Sequence, residues 1–250
     1  MFSLDNRVAL ITGASKGLGK AMAMGLAEAG AKVALNYFND TPKAEATFEE
    51  FKSKGHEGTL IRADATSEAD VRRMVAQTEK DLGPVDILIP NATCDQPQKR
   101  IEDYDWAFYQ AMLDFFVKSP YLLTRACLPH MKAQRWGRII NNISEVLTRG
   151  VGNFSAYVAA KGGQNGWSRS MATELAPFGI TVNMISPGWI PVERHEKDPQ
   201  ELKDGYSALI PMRRWGVPDD VVGATVFLAS EEAGFITGQE ICINGGMTVG

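Results

Sequence analysis

Tyr157 and Lys161 lie four residues apart in Ser155–Ala176, a stretch whose spacing predicts a helix, so a phenol and an ammonium share one helix face. A free phenol ionises near pH 10. Acid–base work near neutrality needs a shift of about 3 units, roughly 4 kcal/mol of preference for the phenolate. A lysine in a partly dehydrated cleft supplies charge of the right sign. Ser144 precedes the tyrosine by thirteen residues and follows Arg138–Ile143, an apolar, β-branched run that reads as a strand. A hydroxyl at that place can hold a carbonyl oxygen beside the phenol. Tyr-x-x-x-Lys is also the spacing of an ordinary surface pair, so its surroundings decide its meaning.

A second chemical element lies near the N-terminus. The apolar run Val8-Ala9-Leu10-Ile11 leads into Thr12-Gly13-Ala14-Ser15-Lys16-Gly17-Leu18-Gly19, and a helical pattern follows. Glycines at this junction allow a tight turn and let backbone N–H groups approach a pyrophosphate at a helix N-terminus. The spacing is GxxxGxG, not the GxGxxG of the general dinucleotide fingerprint. A cofactor with a free ribose 2′-hydroxyl usually meets an acidic residue at the end of the second strand. Here that strand ends Ala34-Leu35-Asn36-Tyr37-Phe38-Asn39, with no acid before Asp40. Lys16 can face a 2′-phosphate, which favours NADP(H) over NAD(H); the alternative is that Lys16 is solvated and Asn36 bonds the ribose.

The elements that must position these residues alternate along the chain. Strands are expected at Arg7–Thr12, Lys32–Tyr37, Gly58–Ile61, Asp86–Ile89, Arg138–Ile143, Ile180–Ile185 and Glu240–Ile243. Helices are expected at Leu18–Ala29, Pro42–Lys54, from a Ser67 cap to Leu82, Ser155–Ala176 and Pro218–Ser230. A long helical region from Tyr104 to about Trp136 should break near Ser119-Pro120. This alternation predicts an α/β, doubly wound Rossmann fold: one domain over residues 1–250, with a seven-stranded parallel sheet and helices on both faces. Ligands of such sheets bind outside the carboxyl ends of the strands, where the glycine turn, Asn91 and Ser144 all fall. Residues 188–211 lack periodicity and read as a substrate lid.

Composition sets the bounds. The 250 residues are 44% apolar and 22% charged, enough for a sizeable core, and the formal net charge is −4. A mildly acidic chain offers no broad electrostatic footprint for nucleic acid or an anionic membrane. Cys94, Cys127 and Cys242 show no metal-type or disulfide spacing, and His56, His130 and His195 stand apart, so no metal is expected. The N-terminal residues lack a signal-peptide plan and no apolar run suffices for a membrane span, so a cytoplasmic protein is expected.

Taken in order, the glycine turn, Asn91, Ser144, Tyr157 with Lys161, and Ser186-Pro187-Gly188 resemble the short-chain dehydrogenase/reductase family, over nearly the whole length to Asn244-Gly245-Gly246. The resemblance implies Tyr157 as general acid/base, Ser144 orienting the substrate, and Lys161 binding the nicotinamide ribose and lowering the tyrosine pKa. It also implies cofactor contacts from Gly13, Ser15, Lys16, Gly17, Leu18, Gly19, Asn36, Asp64, Ala65, Asn91, Pro187, Gly188 and Ile190, and a homotetramer. Departures are visible. Pro90-Asn91-Ala92-Thr93 stands for Asn-Asn-Ala-Gly, and Val192 replaces a threonine. Phe116 occupies the position, 28 residues before the serine, where the family has an asparagine that holds a proton-relay water. Either the relay runs through backbone and solvent, or it slows, or the register slips locally.

The implied activity is hydride transfer between a nicotinamide and the carbonyl or secondary alcohol carbon of a small-molecule substrate. The overall pattern is similar to 3-oxoacyl-carrier-protein reductases and to sugar 1-dehydrogenases. Glu145, Trp189, Arg194 and His195 are candidates for recognising a polar or anionic substrate. The alternative is a nucleotide-binding regulatory or scaffold protein with weakened catalysis, which Thr93, Phe116 and Val192 would fit.

Overall fold

The computed structural model describes residues 2–196 and 198–249, with Arg194 as backbone only. Its strands are β1 (Val8–Ile11), β2 (Lys32–Tyr37), β3 (Gly58–Arg62), β4 (Ile87–Ile89), β5 (Gly137–Asn142), β6 (Ile180–Pro187) and β7 (Glu240–Ile243). They form one seven-stranded sheet in the order β3-β2-β1-β4-β5-β6-β7, parallel at every pairing. The order reverses between β1 and β4, which opens a crevice at their carboxyl ends. The helices are α1 (Gly17–Glu28), α2 (Thr41–Ser53), α3 (Glu68–Asp81), α4 (Trp106–Leu113), α5 (Ser119–Gln134), α6 (Val146–Arg149), α7 (Ser155–Leu175), α8 (Gln200–Leu209) and α9 (Val222–Ala229).

The strands' period of two explains why both faces are covered. Ala9, Ile11, Ile87 and Ile89 point into one layer with Met22 and Leu26 of α1 and Leu228 of α9. Leu10 and Leu88 point the other way, against Met74 of α3 and Leu123 and Met131 of α5. Ser67 accepts from the Asp70 N–H at the start of α3, as expected, and Asp40, which the sequence reading did not single out as a cap, accepts from the Lys43 N–H at the start of α2.

Two expectations need correction. The helix does not break at Ser119-Pro120; it widens over Asp114–Lys118 into a π-type turn, closed by the Ser119 N–H bonding the Asp114 carbonyl, and runs on as α5. Pro120 has no N–H to return to the Phe116 carbonyl, and one wide turn absorbs that loss. Residues 188–211 are also less irregular than their sequence suggests, because α8 lies within them. Its apolar residues Leu202, Tyr206 and Leu209 recur at i, i+4 and i+7 on one face, a helical period that the sequence reading missed.

Candidate active site

At the end of β1 the chain turns through Gly13 and Gly17, whose φ values of +66° and +56° favour glycine. A Cβ on Gly19 would stand 2.2 Å from the Gly13 carbonyl oxygen, so only glycine allows this closure. The first residues of α1 receive no side-chain cap, which leaves backbone N–H groups aimed out of the helix start. Such a start, with glycines that keep side chains away, fits a dinucleotide pyrophosphate. The turn is held from below. The Ala14 N–H donates to the Asn36 carbonyl, the Gly13 N–H to Asn36 Oδ1 at 3.4 Å, and Thr47 Oγ1 to the Ser15 carbonyl at 2.7 Å. Asn36 Nδ2 meanwhile donates to the Tyr37, Ile61 and Ala63 carbonyls. The expectation that this side chain bonds a ribose is therefore corrected: Asn36 is a buried brace for the glycine turn. Lys16 is exposed, and Leu18 packs against the core behind the turn.

Past β3, Asp64 Oδ1 accepts from the N–H and hydroxyl of Thr66, fixing the turn that also holds the buried Ala65. Past β4, Asn91 joins three elements. Its Nδ2 donates to the Thr12 carbonyl at 2.9 Å and the Gly13 carbonyl at 3.2 Å, and its Oδ1 accepts from Asn142 Nδ2 at 2.9 Å. Asn142 ends β5, and its own carbonyl accepts from Lys161 Nζ at 2.6 Å. A continuous polar chain thus runs from the glycine turn to the lysine.

Lys161 also donates to Gln164 Oε1 at 2.9 Å. Tyr157 is 8% exposed on the same face of α7, against the rings of Phe116 and Phe154. Ser144 follows β5 and its Oγ accepts from the Val146 N–H. The register of the α4–α5 region does not slip: Phe116 itself reaches this place. Gln164, three residues after Lys161, is a site residue that the sequence reading missed, although its i,i+3 spacing could have flagged it.

The side of the site formed by α6, α8 and the segment after β6 differs from expectation in detail. Glu145 is not a loop residue reaching into solvent but is 2% exposed, with Oε1 accepting from the Tyr206 hydroxyl at 2.6 Å and from Arg149 at 2.9 Å. The Tyr206 oxygen in turn accepts from the Trp189 N–H at 2.7 Å. Burial, reinforced by Glu145, pushes the Tyr206 hydroxyl well above the usual phenol range, so it remains a donor. Tyr206 stacks on Trp215, and Trp189 meets both edge-on. His195 bonds back within its own segment, its Nδ1 accepting from the Val192 N–H. The side chain of Arg194 lies outside the described residues. Pro187 ends β6, the Gly188 N–H bonds the Ile243 carbonyl, and Ile190 is buried. Val192 packs over Gly17 and brings the segment after β6 to the glycine turn.

The family model described as enoyl-(acyl carrier protein) reductase matches residues 13–248. The chain belongs to the short-chain dehydrogenase/reductase family. A 3-oxoacyl-(acyl-carrier-protein) reductase of Staphylococcus epidermidis is 39% identical over 244 residues, covering 97% of this chain and 99% of the relative. The solved structure of a candidate gluconate dehydrogenase from Agrobacterium tumefaciens superposes with a TM-score of 0.93 at 34% identity, covering 98% of this chain and 97% of that one. A 3-oxoacyl-(acyl-carrier-protein) reductase of the same organism, solved with NADP bound, gives 0.90 at 30% identity, over 98% and 95% of the two chains. This short-chain dehydrogenase/reductase is an NAD(P)-dependent oxidoreductase of the 3-oxoacyl reductase-like or sugar dehydrogenase-like type, acting on a small-molecule substrate. Among its described residues no helix is long and apolar enough to cross a membrane.

Proposed function

We propose that Ser144, Tyr157 and Lys161 interconvert a ketone and a secondary alcohol with NADP(H). The observation that carries this reading is the polar chain from the glycine turn through Asn91 and Asn142 to Lys161, which joins a nucleotide cradle to the tyrosine's helix. When bound, the nicotinamide supplies or accepts the hydride. The Tyr157 hydroxyl gives its proton to the carbonyl oxygen during reduction and takes it back during oxidation. Ser144 donates a hydrogen bond to that oxygen, and Lys161 binds the ribose while its charge favours the phenolate. Gly13, Ser15, Gly17, Leu18 and Gly19 receive the pyrophosphate, Asp64 and Ala65 the adenine end, and Asn91 with Pro187, Gly188 and Ile190 the nicotinamide end.

Exposed Lys16, with no acid at the end of β2, supports NADP(H) over NAD(H). Residues 188–211 close over the substrate, with Trp189 and His195 on the lid and Glu145 anchoring it through Tyr206. Arg149 is already paired with Glu145, so among the described residues it offers little free charge to an acidic carrier protein, which favours a compact, hydroxylated substrate. A cytoplasmic homotetramer follows from the family resemblance. The test is turnover read at 340 nm on sugar acids, polyols and 3-oxoacyl thioesters with each cofactor. The reading expects kcat/KM with NADPH above that with NADH and a preference for hydroxylated substrates. NADH equal or better removes the cofactor preference, and selective turnover of the thioesters reverses the substrate preference.

A further inference from the structure

Lys161 is held by more than the backbone. Its ammonium donates to the Asn142 carbonyl and to Gln164 Oε1, and it sits 3.8 Å from the centroid of the Phe116 ring. The same ring stands edge-on to Tyr157, with centroids 5.2 Å apart and planes at 76°. Lys161 and Phe116 are each 3% exposed and Gln164 is 1% exposed. A cation over an aromatic face is attracted by the ring quadrupole, and the attraction grows where water is excluded. A buried amide oxygen facing an ammonium forms a charge-assisted hydrogen bond that also fixes direction. The π-type turn at Asp114–Lys118 carries Phe116 on one side, and the i,i+3 spacing on α7 supplies Gln164 on the other.

We propose that Phe116 and Gln164 are positioning residues, a ring and an amide that form a dry cage fixing the Lys161 ammonium beside Tyr157. This rests on the roles of Tyr157 and Lys161 given above. A Phe116 that merely filled the small core with Met112, Ala156 and Ala160 would be replaceable by any side chain of similar bulk. The cage instead requires a π face at position 116 and an acceptor at position 164.

Four variants separate these cases: Phe116→Leu and Gln164→Leu keep bulk but remove the face or the acceptor, while Phe116→Tyr and Gln164→Glu keep them. Each is measured for kcat, substrate KM, the pH midpoint of the kcat profile for alcohol oxidation, the NADPH dissociation constant by fluorescence, and melting temperature. The two leucine variants should lose about 3- to 30-fold in kcat near pH 7 with KM within about twofold. Their pH midpoint should rise, because a less firmly held positive charge favours the phenolate less. NADPH should bind several-fold more weakly, whereas Phe116→Tyr should stay within about threefold of the parent in every constant, and Gln164→Glu should do so in NADPH affinity while its carboxylate beside Lys161 raises the pH midpoint. Leucine variants that match the parent overturn the cage. So does a fall in kcat that follows melting temperature alone with an unmoved pH midpoint. If the parent protein shows no turnover that Tyr157→Phe abolishes, the proposed function has failed instead. NADPH affinity then still decides the cage: loss in the leucine variants but not the conservative ones upholds it, and equal affinities overturn it.

Discussion

The Asn91 amide gives the account a sharp electrostatic test. Its nitrogen faces two backbone carbonyl oxygens, of Thr12 and Gly13, at 2.9 and 3.2 Å, and its oxygen faces the Asn142 amide nitrogen at 2.9 Å. Asn91→Ala removes all of these bonds. At about 1 kcal/mol net for each, less what solvent restores at a half-buried site, the loss should be about 2–3 kcal/mol. Asn91→Asp keeps the shape and the bond from Asn142, yet it replaces the donor with an oxygen that confronts both carbonyls. At pH 7 it should therefore be less stable than Asn91→Ala by about 1 kcal/mol or more.

Surroundings that repel its charge raise the introduced carboxyl's folded pKa above its unfolded value, about 3.9. The unfolded chain then holds the charge more easily, so the extra penalty grows as pH rises above about 4 and fades as pH falls toward it. Urea unfolding of both variants from pH 7 down to pH 4 reads the difference directly, because the rest of the protein's acid response is common to both. NADPH binding should weaken in both, since the glycine turn loses its tether. Equal stability at pH 7, or Asn91→Asp the more stable of the two, would show that the amide nitrogen does not hold the two carbonyls. A gap that does not narrow on acidification would do the same.

Other outcomes follow from the same geometry. Gly19→Ala places a methyl 2.2 Å from the Gly13 carbonyl oxygen, so the turn must open. Thermal or chemical unfolding should show a loss of about 1–3 kcal/mol together with weakened NADPH binding. Asp220 is held at a pKa of about 2, chiefly by its pairing with Arg214. A lowered folded pKa means that its stabilisation is present above the unfolded value, about 3.9, and is lost as pH falls through about 2. The stability difference between the parent and Asp220→Asn should vanish across that window, and a difference that persists there counts against the pairing. Burial pushes the Cys127 thiol up to about 12, so a thiol reagent at pH 8 should modify exposed Cys242 in the native protein and Cys127 only after unfolding.

The architecture was legible because its determinants are local and periodic. Alternating apolar runs such as Ala9/Ile11 against Leu10 dictate a sheet buried on both faces, and a four-residue spacing puts Tyr157 and Lys161 on one side of α7. The glycine turn was legible for the same reason, since its φ values are properties of single residues. What escaped depends on partners far along the chain. Asn36 looks like a ribose ligand at a strand end, but β3 and the glycine turn engage its amide from both ends. Tyr206 and Glu145 are 61 residues apart, and only the packing of α8 brings them together. Phe116 reads as the loss of a polar group until the π-type turn brings its ring over Lys161, where it supplies a contact of another kind.

In the proposed reaction Tyr157 moves the proton while the rest of the site binds cofactor and substrate. Tyr157→Phe tests it most directly, with NADPH affinity by fluorescence and turnover at 340 nm measured on the same preparation and on the best substrate of the panel. The NADPH dissociation constant should stay within about twofold of the parent while kcat falls by about 10²- to 10⁴-fold. Turnover retained at the parent rate, with the cofactor still bound, would contradict it.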